Sequence, residues 1–433
     1  MRHRGGLAFT TWPGPRNKGA FCAVPLCAGR GKARFGMSLT HTLVVLTAAA
    51  IVLPAILVVV RAWKNGAWSS TQGPAFEPWN IWSEHDSWRS LINAAVLAAN
   101  AHNTQPWRFM VADDTVSIAA DAERHIGSFD PFRREMHQSL GCAIENLMIA
   151  ARAHGLAPEL TLFQGKLSLE KLPGGPAASV SFQPGEQQDI KLNGAIPLRH
   201  TNRGAYDPGH GVPEAVLEEM RSAVPPEARS RLYLFAGKDM APLAQLIIAA
   251  TQAIVGDAEM SEDNARWFRF HQREVEDQRE GLTLDTNVPS PVARFFARAF
   301  PPSTALADHI WLRDTERVHL ATVPLLGIIA VADPYQRRDA LSAGRIWQRL
   351  HLIPTAHGLD AQPLNQPCEM VDRERQLEKP PRTAEALARI VGDPAAQATF
   401  VFRAGYGQRP PAIAPRRPIG DVLYTAAAEL QAS

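Results

Sequence analysis

The run Ala98-Ala99-Asn100-Ala101-His102-Asn103-Thr104-Gln105-Pro106-Trp107-Arg108-Phe109 joins two unlike segments. Upstream, residues 91–98 are apolar with helical character. Downstream, residues 109–111 are strand-like. Between them, Asn100, His102, Asn103, Thr104 and Gln105 crowd donors and acceptors into six residues, more than a plain connection needs. Pro106 pushes Gln105 out of helical geometry and fixes the exit of the turn. Two readings fit: an ordinary polar turn, or a helix-to-strand corner that lines a planar, hydrogen-bonding ligand.

Moving outward, the chain repeats a helical pattern. Ser139-Leu-Gly-Cys-Ala-Ile-Glu-Asn-Leu-Met-Ile-Ala-Ala-Arg-Ala-His-Gly-Leu156 aligns without gaps on Ser342-Ala-Gly-Arg-Ile-Trp-Gln-Arg-Leu-His-Leu-Ile-Pro-Thr-Ala-His-Gly-Leu359. Each copy reads as a helix ended by a glycine one residue past its cap, Gly155 and Gly358. Asp130 with Pro131 supplies a cap and first-turn proline for the first copy. β-rich segments follow at 160–163, 180–182 and 399–402. The fixed offset and the shared Ala-His-Gly-Leu ending favour a duplication into two related units, not a solenoid. His154 and His357 sit where a helix C-terminus favours them, and no metal-ligand spacing accompanies either.

Arg199-His200-Thr201-Asn202-Arg203 places two guanidinium groups four residues apart with a hydroxyl between. That is either a solvated basic turn or a cradle converging on one phosphate. Arg416-Arg417-Pro418 lies near the C-terminus, and residues 362–367 read Gln-Pro-Leu-Asn-Gln-Pro. Residues 256–318 have no counterpart in the first half and carry Trp267, Phe268, Phe270, Phe295, Phe296, Phe300 and Trp311 among many charges. They form either a peripheral extension or a lid.

The N-terminal region is different in kind. Residues 1–36 hold basic but no acidic residues, and residues 43–60 are uncharged and almost wholly apolar. Eighteen such residues approach the minimum for a membrane span, and Pro54 need not forbid it. A buried core helix is the other reading, but the segment shows no amphipathic face. Seven basic residues precede the span and only Arg61 and Lys64 follow closely. Positive-inside counting then places the main domain outside the cytoplasm, with the anchor retained. If translation starts at Met37, the same rule favours a cytoplasmic domain. Trp63 and Trp68 suit the headgroup belt, and the glycines, serines and prolines of 63–86 suit a linker.

Bulk composition narrows the classes further. With 433 residues and 45% apolar content the chain builds a large core. A net charge of +2 gives no general argument for nucleic acid. Cys22, Cys27, Cys142 and Cys368 form neither a disulfide framework nor a zinc pattern. No nucleophile, triad or GxGxxG fingerprint is present.

His102-Asn103-Thr104-Gln105-Pro106-Trp107 resembles the flavin-contacting corner of the nitroreductase superfamily, and in this form its Acg-type FMN-binding branch. Residues 199–203 are similar to that superfamily's Arg-x-Ser-x-Arg phosphate element, with Thr201 in the serine position. The resemblance implies an α+β nitroreductase-like fold of two fused repeats, preceded by a single transmembrane helix. Its expected divisions are a basic tail (1–38), a span (39–62), a linker (63–86), repeat 1 (87–198) and repeat 2 (199–433) with a lid-like insertion (256–318). It also implies FMN as cofactor, held by Asn100, Ala101, His102, Asn103, Gln105, Arg199, Thr201, Arg203, Pro363, Leu364, Asn365, Arg416 and Arg417. Backbone amides of residues 362–367, a run similar to the segment beside the flavin ring in that superfamily, are expected there. No side chain is assigned a catalytic role and no metal is called for. Because only the first half has the corner and only the second has the basic elements, one hybrid site is expected in a fused pseudo-dimer. The implied activity is two-electron transfer from NAD(P)H through FMN to a nitro or quinone-like acceptor. The alternatives are a lidded FMN-sequestering protein with little turnover, and, more weakly, a membrane-tethered redox partner.

Overall fold

Two helices of equal length carry the architecture of the computed structural model, which describes residues 38–68, 71–82, 88–169, 172–224, 229–288 and 290–424. They are α3 (Arg134–Ala153) and α12 (Arg337–Ala356), each of 20 residues. Their limits step by 203, from Arg134 to Arg337 and from Ala153 to Ala356. Both end as expected, on glycines with positive φ, Gly155 at 73° and Gly358 at 76°. The start of α3 differs from expectation. Asp130 lies upstream of the first turn and accepts from the amides of Glu135 and Met136 at 3.0 and 2.8 Å. Pro131 therefore belongs to the approach, and the helix begins after Arg133.

The two helices cross at equivalent glycines. A Cβ on Gly141 would lie 2.1 Å from the Leu341 carbonyl oxygen, and one on Gly344 would lie 1.9 Å from that of Gln138. Only glycine admits this backbone approach. The Cys142 thiol reaches the Gly344 carbonyl at 3.2 Å across the same crossing.

Each helix is bracketed by a four-stranded antiparallel sheet. The first contains β1 (Trp107–Ala112), β2 (Thr115–Ala120), β3 (Leu156–Leu162) and β4 (Ala178–Pro184), in the order β1-β2-β4-β3. The second sheet has β5 (Ser230–Ala236), β8 (Leu325–Val331), β9 (Asp360–Pro363) and β10 (Gln397–Gly405), in the order β5-β8-β10-β9. In both sheets the order is first, second, fourth, third, with the long helix before the third strand. Three short helices complete the inner layer: α2 (Trp88–Val96), α4 (Ile190–Ala195) and α5 (Glu214–Ser222). One apolar core runs through α2, α3, α12 and the inner faces of both sheets.

The second sheet is covered on its other face too. There α6 (Ala241–Val255), α13 (Gln366–Gln376) and α14 (Arg382–Val391) pack Leu243, Ile247, Cys368 and Leu387 against Ile328 and Val401. This is why β8 reads as the unbroken apolar run Leu-Leu-Gly-Ile-Ile-Ala-Val and is buried throughout. Where β1 and β2 are joined by the two-residue turn Asp113-Asp114, β5 and β8 are separated by residues 237–324. That interval is longer than the expected insertion and begins with α6, which belongs to the second core. The remainder holds α7 (Ala258–Arg266), β6 (Phe268–Arg269), α8 (Gln272–Gln278), β7 (Leu282–Thr283), α9 (Leu284–Asn287), α10 (Pro291–Ala299) and α11 (Thr304–Asp314). β6 and β7 pair in parallel.

At the N-terminal end, α1 (Leu39–Lys64) has 26 residues and a mean hydropathy of 3.0 in its most apolar window. It is long enough to cross a bilayer, at about 1.5 Å per residue. The basic tail ahead of it, and Met37, lie outside the described residues. The tryptophans behind it divide. Trp63 and Trp68 are exposed, whereas Trp79 is buried and donates its indole N–H to the Ala414 carbonyl at 2.8 Å.

Candidate cofactor site

The corner is built from backbone that only local constraint sustains. His102, Asn103 and Gln105 have φ of 48°, 55° and 51°. Left-handed non-glycine residues of this kind concentrate at ligand sites. The Asn100 side chain holds the turn by accepting from the Gln105 amide at 2.8 Å, and the Ala101 amide donates to Ser139 Oγ at 3.0 Å. Asn100, Ala101 and His102 thus form one wall of a cavity of about 260 Å³.

The other walls come from distant parts of the chain. Thr201 and Arg203 enter from the basic segment, and Pro363 and Asn365 from the end of β9. A bridge between Thr201 and Ala361 ties these two segments together. The insertion closes the remaining side with Phe268, Phe270, Leu282, Ile310 and Trp311. The corner, the basic segment, the end of β9 and the insertion therefore meet at one cavity. Phe295, Phe296 and Phe300 do not line it.

A smaller annex of about 50 Å³ shares Asn100, Thr201 and Arg203 with this cavity and adds Asn103, Arg199 and Arg416. Arg199 donates to the Leu97 carbonyl at 3.1 Å and approaches His351 Nδ1 at 3.4 Å. Arg203 donates to the Thr286 carbonyl at 3.2 Å. Arg416 donates to Asn103 Oδ1 and to the carbonyls of Pro415 and Ala98, and lies over the Trp79 ring at 4.8 Å. None of these described partners is a carboxylate. Burial brings Arg199 and Arg203 down to about 10. Burial and the neighbouring Arg199 charge lower Arg416 as well. The Nε atoms of Arg199 and Arg416 are buried without a partner among the described residues. Buried cations are ordinarily paired, so this annex has the chemistry of an anion site.

Three of the expected residues reach neither the cavity nor its annex. Gln105 is fully buried and clamps two other segments: its amide nitrogen donates to the Arg279 carbonyl at 2.7 Å and its oxygen accepts from the Arg417 amide at 2.8 Å. Leu364 points into the second core, and its amide is already bonded to the Val401 carbonyl at 2.8 Å. Arg417 faces away from Arg199 into a separate cavity lined by Arg124, Glu276, Glu280 and Asp421. Adjacent residues of an extended chain point to opposite sides, so only one arginine of the pair joins the annex. Asn103 enters the annex chiefly by orienting Arg416.

The sequence reading missed the side of the cavity made by α3 and α13. Glu135, Gln138 and Cys142 line it from one stripe of α3, and Gln366 and Glu369 line it from α13. Burial pushes the Glu135 carboxyl up to about 7, and Glu369 is raised by burial and by Glu135. Gln366, Glu369 and His319 line the cavity, and Gln366 Oε1, Glu369 Oε2 and His319 Nδ1 are buried with no hydrogen-bond partner among the described residues. His102, bonded to Asn264 at 3.0 Å, is lowered to about 4 by burial and so stays neutral at pH 7. A polar stripe on an otherwise buried helix was the one available signal for Glu135 and Gln138. Trp79, the floor beneath Arg416, gave none.

No family model matches the chain. It is 32% identical over 120 residues to the Mycobacterium tuberculosis protein "Putative NAD(P)H nitroreductase Rv3131", a match covering 27% of this chain and 33% of that one. It is 29% identical over 120 residues to "Putative NAD(P)H nitroreductase acg" of the same organism, covering 27% and 34%. The chain thus spans about a third of the length of the curated relatives it matches. Among solved structures it is similar to the FMN-dependent nitroreductase NfnB from Mycobacterium smegmatis in complex with NADPH, at 17% identity and a TM-score of 0.36, covering 55% of this chain and 98% of that one. A nitroreductase with bound FMN from Bacteroides fragilis gives 13% identity and a TM-score of 0.31, covering 52% and 93%. Over those 120 residues the chain is similar in sequence to mycobacterial proteins described as putative NAD(P)H nitroreductases, acg among them.

Proposed function

We propose that the protein is an FMN-dependent oxidoreductase of nitroreductase type, moving two electrons from NAD(P)H to a nitro or quinone-like acceptor. The observation that carries this is the annex of buried guanidinium groups without a carboxylate, opening into a largely apolar cavity beside the corner. Arg199, Arg203 and Arg416 would hold the phosphate, with Thr201 adding a hydroxyl. Asn100, Ala101 and His102 would border the ring, with Pro363 and Asn365 on the β9 side. Of the amides in this stretch, that of Leu364 is already bonded to the Val401 carbonyl and would not be free for the ring. When bound, FMN supplies the hydride chemistry, and the protein contributes position, electrostatics and exclusion of water. The two sheets of equal strand order, each with its helix, support reading the chain as a fused pseudo-dimer with this one hybrid site. The apolar α1 supports a single membrane span ahead of it.

A second reading, an FMN-sequestering protein with little turnover, is favoured by how the insertion is fastened. Asn103 and Gln105 bond to the carbonyls of Gly281 and Arg279, His102 to Asn264, and Arg203 to that of Thr286. Three bonds from the corner and one from the basic segment thus fasten the insertion over the site, which favours retention of the flavin over exchange. Both readings are tested on the full chain purified in detergent. A flavin spectrum, as purified or after FMN is added, is expected, and its absence sinks both. Anaerobic mixing with NADPH and NADH separates them: rapid bleaching selects the enzyme, and persistent yellow selects storage.

A further inference from the structure

Helix α10 is built the wrong way round for a helix facing water. Its basic residues are turned inward, where Arg298 pairs with Asp285 at 2.6 Å and Arg294 with the same carboxylate at 3.5 Å. Arg298 is only 4% exposed, while Val292 and Phe296 on the same helix are 67% and 54% exposed. The exposed strip continues through Phe300 and Leu306. From residue 286 to residue 307 the sequence contains no Asp or Glu. Isolated exposed apolar residues are unremarkable, but a contiguous strip with its charges withdrawn marks an interaction face.

Contacts at the end of α1 say what covers it. The Arg61 guanidinium lies 5.0 Å over the Phe300 ring, Asn65 donates to the Arg298 carbonyl at 2.6 Å, and Trp68 meets Phe295 edge-on at 5.8 Å. Trp63 and Trp68, both largely exposed, extend the strip. Tryptophan beside Arg and Lys at the end of an apolar helix is the composition of the membrane–water boundary. We infer that α10 and the turn after it, from Val292 to Leu306 together with Trp63 and Trp68, rest in the headgroup region of a lipid bilayer. This rests on the reading of α1 as a membrane span. On its inner side Pro302 of this segment, with Val288 and Ala307 just beyond its two ends, lines the cavity, so this wall separates the candidate cofactor site from lipid.

The test uses the full chain in phosphatidylcholine–phosphatidylglycerol nanodiscs, with the photo-crosslinker p-benzoylphenylalanine placed in turn at Val52, inside α1, and at Phe296. A mass shift of one phospholipid after illumination is expected at both positions. Lipid adducts at Val52 but none at Phe296 overturn the inference and leave the span standing. No adduct at Val52 overturns the span and the inference together. A covalent dimer through position 296 overturns it in favour of a second copy as the occupant.

Discussion

Replacing Arg199 by Met should have opposite effects on the empty and the loaded protein. Arg199 is 2% exposed, has an unpartnered Nε, and shares its annex with Arg203 and Arg416 but no carboxylate. Burial brings it to about 10. At about 1.36 kcal/mol per tenfold change in proton affinity, holding the charge there costs the fold about 3 kcal/mol. Arg199→Met removes that cost and keeps most of the volume, but gives up the charged bond to the Leu97 carbonyl, about 1.5 kcal/mol, and the weaker one to His351, about 1 kcal/mol. The flavin-free variant should therefore be as stable as the parent or up to about 1 kcal/mol more stable. A buried arginine in an ordinary ion pair would instead cost about 3–5 kcal/mol when removed. With FMN the sign reverses. One charged hydrogen bond to phosphate is worth about 1.5–3 kcal/mol, so affinity should fall roughly 10- to 150-fold. Riboflavin, which lacks the phosphate, should bind nearly as before. Chemical denaturation of the full chain in detergent and fluorescence titration with both flavins provide the measurements. Loss of more than about 2 kcal/mol in the flavin-free variant, or equal losses for FMN and riboflavin, would refute the anion-site reasoning.

Other consequences follow from the same geometry. Arg416→Ala should weaken FMN roughly tenfold or more, whereas Arg417→Ala, whose guanidinium faces Glu276 and Glu280, should leave affinity within about twofold; titrating both variants separates the neighbours. Glu135 is raised from about 4.5 to about 7, so the folded state holds its proton more tightly than the unfolded one, and its contribution to stability falls as pH rises through that window. Glu135→Gln should remove this, gaining up to about 3 kcal/mol relative to the parent between pH 5 and 8; parallel denaturation curves across that range would contradict it. Gly344→Ala puts a methyl 1.9 Å from the Gln138 carbonyl oxygen, and forcing α3 and α12 apart should cost about 1–3 kcal/mol or more and weaken FMN as well. Denaturation midpoints with and without flavin would show both.

Much of this organisation was legible in the sequence because it is local. The apolar α1, the terminating glycines Gly155 and Gly358, the step of 203 between α3 and α12, and the polar corner at 100–105 each express a constraint spanning a few turns. The corner, basic segment and β9 end were recognisable as parts through their resemblance to a family. Where side chains point was a different matter. Arg416 and Arg417 are indistinguishable as neighbours, and only the packing of residues 415–417 against Asn103, Trp79 and Gln105 sends one to the annex and the other away. Gln105 and Leu364 carry suitable chemistry, but tertiary contacts consume them. Glu135 and Glu369 border the cavity because the first turns of α3 and α13, more than two hundred residues apart, are brought together by Arg134 bonding Asp372 and Asn365 bonding Glu135. Periodicity and turn chemistry act within segments, so the sequence by itself determined the elements and their repetition. Long-range packing, which decides burial and with it charge and hydrogen bonding, determined which residues share the site.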